Sequence, residues 1–193
     1  MVLKNRRKIF LITALLFDLT VFTVILCKPL MIQSDAEKNN KIIRLKCSLY
    51  DPFDPLKGRY VSLDFEETRG KFSTLFCDDS VLIPGSKDSD KIAFPSVYAI
   101  FENNKEGVSV LKKITISKPN GAELFLRCPA HYYTNADEII LDVNFCKYYI
   151  QEEHADKLDN MSPEDFNRQN PILELWVNGK GEAIQKELVF GKF

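Results

Sequence analysis

From Ile9 to Cys27 the chain reads IFLITALLFDLTVFTVILC, 19 residues with a single charge, Asp18. At a helical rise of about 1.5 Å per residue this run covers about 28 Å, close to the ~30 Å hydrocarbon core of a bilayer. It predicts one transmembrane helix over 9–27. Lys4, Arg6, Arg7 and Lys8 precede it without an acid, so residues 1–8 form a cytoplasmic basic tail by the positive-inside rule. The chain beyond Lys28 then lies outside the cytoplasm. A cleaved signal peptide has a shorter apolar region, about 7–15 residues, with a small-x-small site close behind. Here the nearest such triplet, Ser34-Asp35-Ala36, lies well past the run, and Leu26 before Cys27 does not suit a lipoprotein site. The expectation is an uncleaved single-pass anchor.

Asp18 stands near the middle of that span. An ionised carboxylate there costs about 2.5–3.5 kcal/mol even on the lenient insertion scale. Either it meets a polar group on another membrane helix, with Thr13, Thr20 and Thr23 as further hydrogen-bonding groups, or it is carried protonated among apolar neighbours. The first alternative makes Asp18 a candidate membrane-helix contact.

Apart from those four cations and Asp18, residues 28–193 hold 22 basic and 26 acidic residues, net −4. Nucleic-acid affinity rests on clustered Lys and Arg, so a nucleic-acid partner is not expected. Hydrophobic residues make up 45% of the chain, enough for a folded core.

Residues 28–41 are polar and lack periodicity, which predicts a linker or stalk between the anchor and an extracytoplasmic domain over 42–193. In that domain β signals dominate. Ile43, Leu45, Cys47 and Leu49 alternate with Arg44, Lys46 and Ser48, and Val61, Leu63 and Phe65 share one face of a second strand at Tyr60–Phe65. Further strands are expected at 97–102, 108–117, 122–128, 139–149, 172–177 and 183–190. Turn clusters such as Pro119-Asn120-Gly121 separate them, and Asn178-Gly179-Lys180-Gly181 marks a hairpin between the last two. A helix is expected between Gln151 and Gln169, where Ser162-Pro163-Glu164-Asp165 supplies an N-cap, a first-turn proline and acids suited to the helix dipole. The fold class is mainly β: an antiparallel sandwich or small, partly open barrel with one or two short helices.

The residues offer little chemistry. Cys47, Cys77, Cys128 and Cys146 admit two disulfides in three pairings, or are simply small buried side chains. There is no C-x-x-C and no calcium-loop spacing, and no glycine loop that would cradle a phosphate. His131 and His154 lack ligand spacing, and Cys128 with His131 has no evident orienting partner. Asp51 and Asp54 alternate with Pro52 and Pro55, which suggests a rigid turn before a strand. No catalytic residue, metal or cofactor is expected.

Three segments read together carry a resemblance. Asp51-Pro52-Phe53-Asp54-Pro55-Leu56-Lys57-Gly58-Arg59-Tyr60-Val61-Ser62-Leu63-Asp64-Phe65 resembles the signature of the GDYXXLXY family of bacterial membrane-anchored proteins. Lys147-Tyr148-Tyr149-Ile150-Gln151-Glu152 is similar to its second block, and Val177 to Lys192 to its C-terminal hairpin. Asp51, Pro52, Asp54, Pro55, Gly58, Tyr60 and Leu63 are the motif positions. Arg59 stands where the family name has Asp, and Asp64 or Phe65 where it has its last Tyr. Gly58, Tyr60 and Leu63 suit a turn and the strand it starts. The resemblance implies a fold and a place in the bacterial cytoplasmic membrane. Its members accompany multi-pass membrane proteins, so it also implies a partner of that kind.

The leading expectation is therefore a non-enzymatic accessory or interaction subunit of a membrane complex. Aromatic residues in 51–65 and 131–133 serve it either as a contact surface or as core. The alternative is a domain that binds or hydrolyses an envelope ligand at a site around Asp51, Asp54, Arg59 and Tyr60; the sequence does not name that ligand.

Overall fold

The computed structural model describes residues 2–51, 60–76, 90–120, 122–149 and 162–191. Its first element, α1 (Val2–Asn39), contains the whole apolar run and continues well beyond it. The helix passes through Pro29, which forfeits one backbone hydrogen bond. Packing holds the later turns. Ile32 and Ala36, four residues apart and on one face, are 4% and 0% exposed. Residues 28–39, expected as a linker or stalk, are thus a continuation of the helix.

The helix ends on Asn40, whose φ of 50° is left-handed. Lys41 N–H donates to Ala36 O at 2.9 Å and Asn40 N–H to Glu37 O at 3.4 Å, the paired bonds of a Schellman ending. Strand β1 (Ile42–Lys46) begins at once. The chain then crosses to another sheet at Cys47, whose N–H donates to Pro171 O at 3.0 Å, and continues as β2 (Ser48–Asp51). The strand expected over 43–49 is therefore two strands meeting at a corner.

Next come β3 (Tyr60–Asp64), a 3₁₀ turn at Glu66–Thr68, β4 (Arg69–Lys71) and the single helical turn α2 (Phe72–Leu75). The long strands are β5 (Lys91–Asn103), β6 (Ser109–Thr115) and β7 (Leu124–Tyr133). β5 runs through Pro95 because its register with β7 shifts between Phe94 and Val97, and this bulge accommodates a residue without an N–H. β8 (Glu138–Leu141) and β9 (Lys147–Tyr149) divide the strand expected over 139–149 between two sheets. The last elements are α3 (Pro163–Arg168), β10 (Ile172–Val177) and β11 (Ala183–Val189). Ser162 caps α3 as expected, its Oγ accepting from Asp165 N–H at 3.1 Å. Residues 151–161, the first part of the stretch in which a helix was expected, lie outside the described residues.

The strands make three antiparallel sheets, β1-β10-β11, β2-β3-β9 and β4-β8-β7-β5-β6, curved in part into a half-barrel. Their inner faces share one core that includes Ile43, Leu45, Leu63, Phe65, Val97, Ile114, Leu126 and Leu173. The fold is mainly β, with short helices and one long apolar N-terminal helix. The β10–β11 hairpin lies against β7: Arg127 N–H donates to Gly181 O at 2.8 Å. A Cβ on Gly181 would come within 2.9 Å of the Phe125 ring, so glycine permits this approach.

Candidate functional site at the helix–sheet junction

The end of α1 meets the β10–β11 hairpin through residues 28, 32, 35 and 36, a helical stripe that the polar composition of 28–41 conceals. Ile32 and Ala36 supply the buried apolar contact. The Asp35 carboxylate accepts Gly179 N–H through Oδ2 at 2.7 Å. Lys28 Nζ pairs with Glu182 Oε1 at 2.9 Å, with both side chains substantially exposed, so that pair adds little stability. The hydrogen bonds from Lys28 and then Asn178 hold the Glu182 carboxyl below the ordinary carboxylate range.

The hairpin is prearranged for this contact. Asn178 Oδ1 accepts from Lys180 N–H at 2.9 Å and Glu182 N–H at 3.0 Å, which orders the turn and leaves Gly179 N–H facing Asp35. A cleft of about 350 Å³ opens beside it, lined by Lys28, Ile32, Arg127, Phe145, Glu182 and Ile184 among others. Arg127 Nε donates to Ser96 Oγ at 3.0 Å. The sequence marked Asn178–Gly181 as a hairpin but did not anticipate its contact with the helix or the cleft; the spacing of Lys28, Ile32, Asp35 and Ala36 was the available signal.

Asp18 is exposed on α1, and no described side chain bonds it. Thr20 Oγ1 donates to Leu16 O and Thr23 Oγ1 to Leu19 O, each at 2.8 Å. These two hydroxyls spend their protons on their own helix rather than on a neighbour.

Of the motif positions, Pro52, Asp54, Pro55 and Gly58 lie outside the described residues, as does Arg59. Asp51 ends β2, and Leu63 is core, paired across the sheet with Leu49. Tyr60 packs in a tilted pair with Tyr149, ring centroids 5.9 Å apart, and Lys147 Nζ stands 5.0 Å from the Tyr60 ring centre. Phe65 is core against Phe145, and Tyr132 stacks on Phe72, so these aromatics pack within the domain.

Cys27, Cys47, Cys128 and Cys146 are free thiols; Cys77 and His154 lie outside the described residues. Burial pushes the Cys47 and Cys128 thiols up to about 12, helped by the charges of Glu67 and Asp142 respectively. Such thiols are protonated at neutral pH and poor nucleophiles. Cys128 and His131, three residues apart on β7, point to opposite faces of the sheet. They form no catalytic pair. Among the described residues no group of three or more His, Cys, Asp or Glu side chains is placed to hold a metal.

One buried carboxylate has full compensation. Glu174 Oε1 accepts from Arg44 Nε at 2.6 Å and Oε2 from Lys186 Nζ at 2.5 Å. Burial pushes its pKa up, but the bonds from Lys186 and Arg44 outweigh that and hold it below the ordinary range. The triad joins β1, β10 and β11 and is structural.

No curated protein and no solved structure matches the chain. The family model described as GDYXXLXY protein matches residues 22–188, from within α1 almost to the end of β11, and the chain belongs to that family.

Proposed function

We propose that this protein is a non-enzymatic accessory subunit, anchored in the bacterial cytoplasmic membrane by α1, whose β domain acts outside the cytoplasm in a complex with a multi-pass membrane protein. The observation that carries the reading is Asp18. It sits near the middle of a helix long and apolar enough to cross a membrane, exposed and unbonded by any described side chain. A bare carboxylate at that depth is costly, and a polar group on a neighbouring helix relieves the cost. The basic tail at Lys4–Lys8 supports an N-terminus in the cytoplasm. The docked helix supports a domain held close to the membrane, where a multi-pass partner presents its loops.

The test is co-purification of the full chain and its Asp18→Leu variant from membranes in mild detergent, with mass spectrometry of the proteins retained. A multi-pass protein recovered with the native chain and depleted about tenfold with the variant supports the reading, since relief of a mid-membrane charge is worth more than one decade in affinity. Equal recovery with both chains, or no membrane protein with either, overturns it.

A further inference from the structure

The cleft beside α1 sits at a definite height. If α1 crosses the bilayer over 9–27, a reading on which this inference rests, Lys28 stands at the edge of the hydrocarbon. Ile32, four residues on, lies about 6 Å above it. The headgroup layer on each side of a bilayer is about 5–8 Å deep. The cleft bounded by Lys28 and Ile32 on the helix therefore opens within that layer.

Its lining suits a headgroup. Lys28, Arg127 and Glu182 together carry one net positive charge, and Ile32, Phe145 and Ile184 supply apolar walls. Glu182 is already engaged by Lys28. Arg127 is fixed through its Nε by Ser96 Oγ, and among the described residues its two terminal nitrogens bond nothing. A guanidinium held at one nitrogen with two parallel donors unspent is preorganised for a phosphate.

We propose that this cleft binds the headgroup of an anionic phospholipid from the leaflet on which the β domain rests. Arg127 is the phosphate ligand, Lys28 adds charge at the mouth, and Ser96 is a positioning residue that aims the Arg127 fork. Bound lipid then fills the gap between helix and sheet and ties the domain to the membrane surface at a second point.

The experiment places the full chain in nanodiscs of equal phosphatidylcholine and phosphatidylglycerol, then releases it for native mass spectrometry and identifies the retained lipid. The native chain is expected to keep one phosphatidylglycerol, enriched about tenfold over phosphatidylcholine, because both lipids offer Arg127 a phosphate but only phosphatidylcholine sets a choline cation against Lys28 and Arg127. Arg127→Gln should remove most of that enrichment and Ser96→Ala part of it. Lys112→Gln, a surface cation paired with Glu102 on the far strand β6, should leave it intact. Absence of enrichment in the native chain, or equal enrichment in Arg127→Gln, overturns the proposal. If Arg127→Gln does not fold, judged by its thermal melt, unchanged enrichment in Ser96→Ala overturns it instead. A chain that fails to enter nanodiscs defeats the membrane reading and this inference together; one that enters without selecting phosphatidylglycerol defeats this inference alone.

Discussion

Two glycines permit a test of the hairpin's seat on the sheet. Gly107 and Gly181 have nearly the same backbone, with φ of 77° and 79°, but different surroundings. A Cβ at Gly107 meets nothing within 4 Å, whereas one at Gly181 falls 2.8 Å from Arg127 N and 2.9 Å from two Phe125 ring atoms. Gly107→Ala therefore carries only the left-handed backbone cost, about 1–2 kcal/mol. Gly181→Ala adds overpacking against neighbours that cannot retreat. Arg127 N is hydrogen-bonded to Gly181 O itself, and Phe125 is buried with its ring edge-on to Tyr98. Overpacking of this kind adds about 1–3 kcal/mol, for a total of about 2–5. At about 2–4 °C per kcal/mol for a domain of this size, Gly181→Ala should lower the melting temperature by about 4–20 °C and Gly107→Ala by about 2–8 °C, the larger drop always at Gly181. The assay is thermal unfolding of the full chain in detergent, followed through Trp176, the chain's one tryptophan, which lies on β10 opposite Ile184. Equal melting of the two variants would refute the close approach, and with it the placement of the hairpin on β7.

The titrating groups set further expectations. The Glu174 pKa is lowered in the folded state, so its contribution is present above the ordinary carboxylate range and lost as pH falls through the folded value. Glu174→Gln should cost about 2–3 kcal/mol at pH 7, toward the lower end because water reaches Arg44 and Lys186. In denaturant titrations the gap from the native chain should narrow below about pH 4; a constant gap from pH 7 to pH 3 would contradict the assignment. Cys47 and Cys128, buried with thiols near 12, should resist iodoacetamide at pH 8 until the chain is unfolded. Rapid labelling of either in the native protein, read by peptide mass spectrometry, would show that these sites open.

Where local chemistry decides the structure, the sequence was legible. Ser162 and Pro163 announced the start of α3, and Asn178 with Gly181 announced the hairpin; each rule acts within a few residues. The breaks at Cys47 and between β8 and β9 were not legible. Alternation of apolar and polar residues continues through 43–49 although the strand changes partners at Cys47, where Pro171 takes over the N–H. A period of two records which way side chains point, not which sheet accepts the backbone. The strands expected at 97–102 and 122–128 stop short of Pro95 and Pro129, and only the pairing with neighbours reveals the bulge that admits Pro95 into β5. The helix–sheet junction was hidden differently. Two apolar residues, Ile32 and Ala36, were too few to outweigh the polar residues around them. Asp18 was visible because hydrocarbon makes any charge conspicuous.

The Schellman ending at Asn40 leaves no slack between helix and sheet, since Lys41 is bonded into the cap and Ile42 is already strand. In such an arrangement the helix is an axle, and the domain fixed to its end shares its phase. One residue inserted between Cys27 and Lys28 would swing the domain by about 100° and raise it by about 1.5 Å, while seven would return it almost to its first bearing about 10 Å higher. Azimuth and elevation over the membrane are thus set independently, by the remainder and by the total of the residue count.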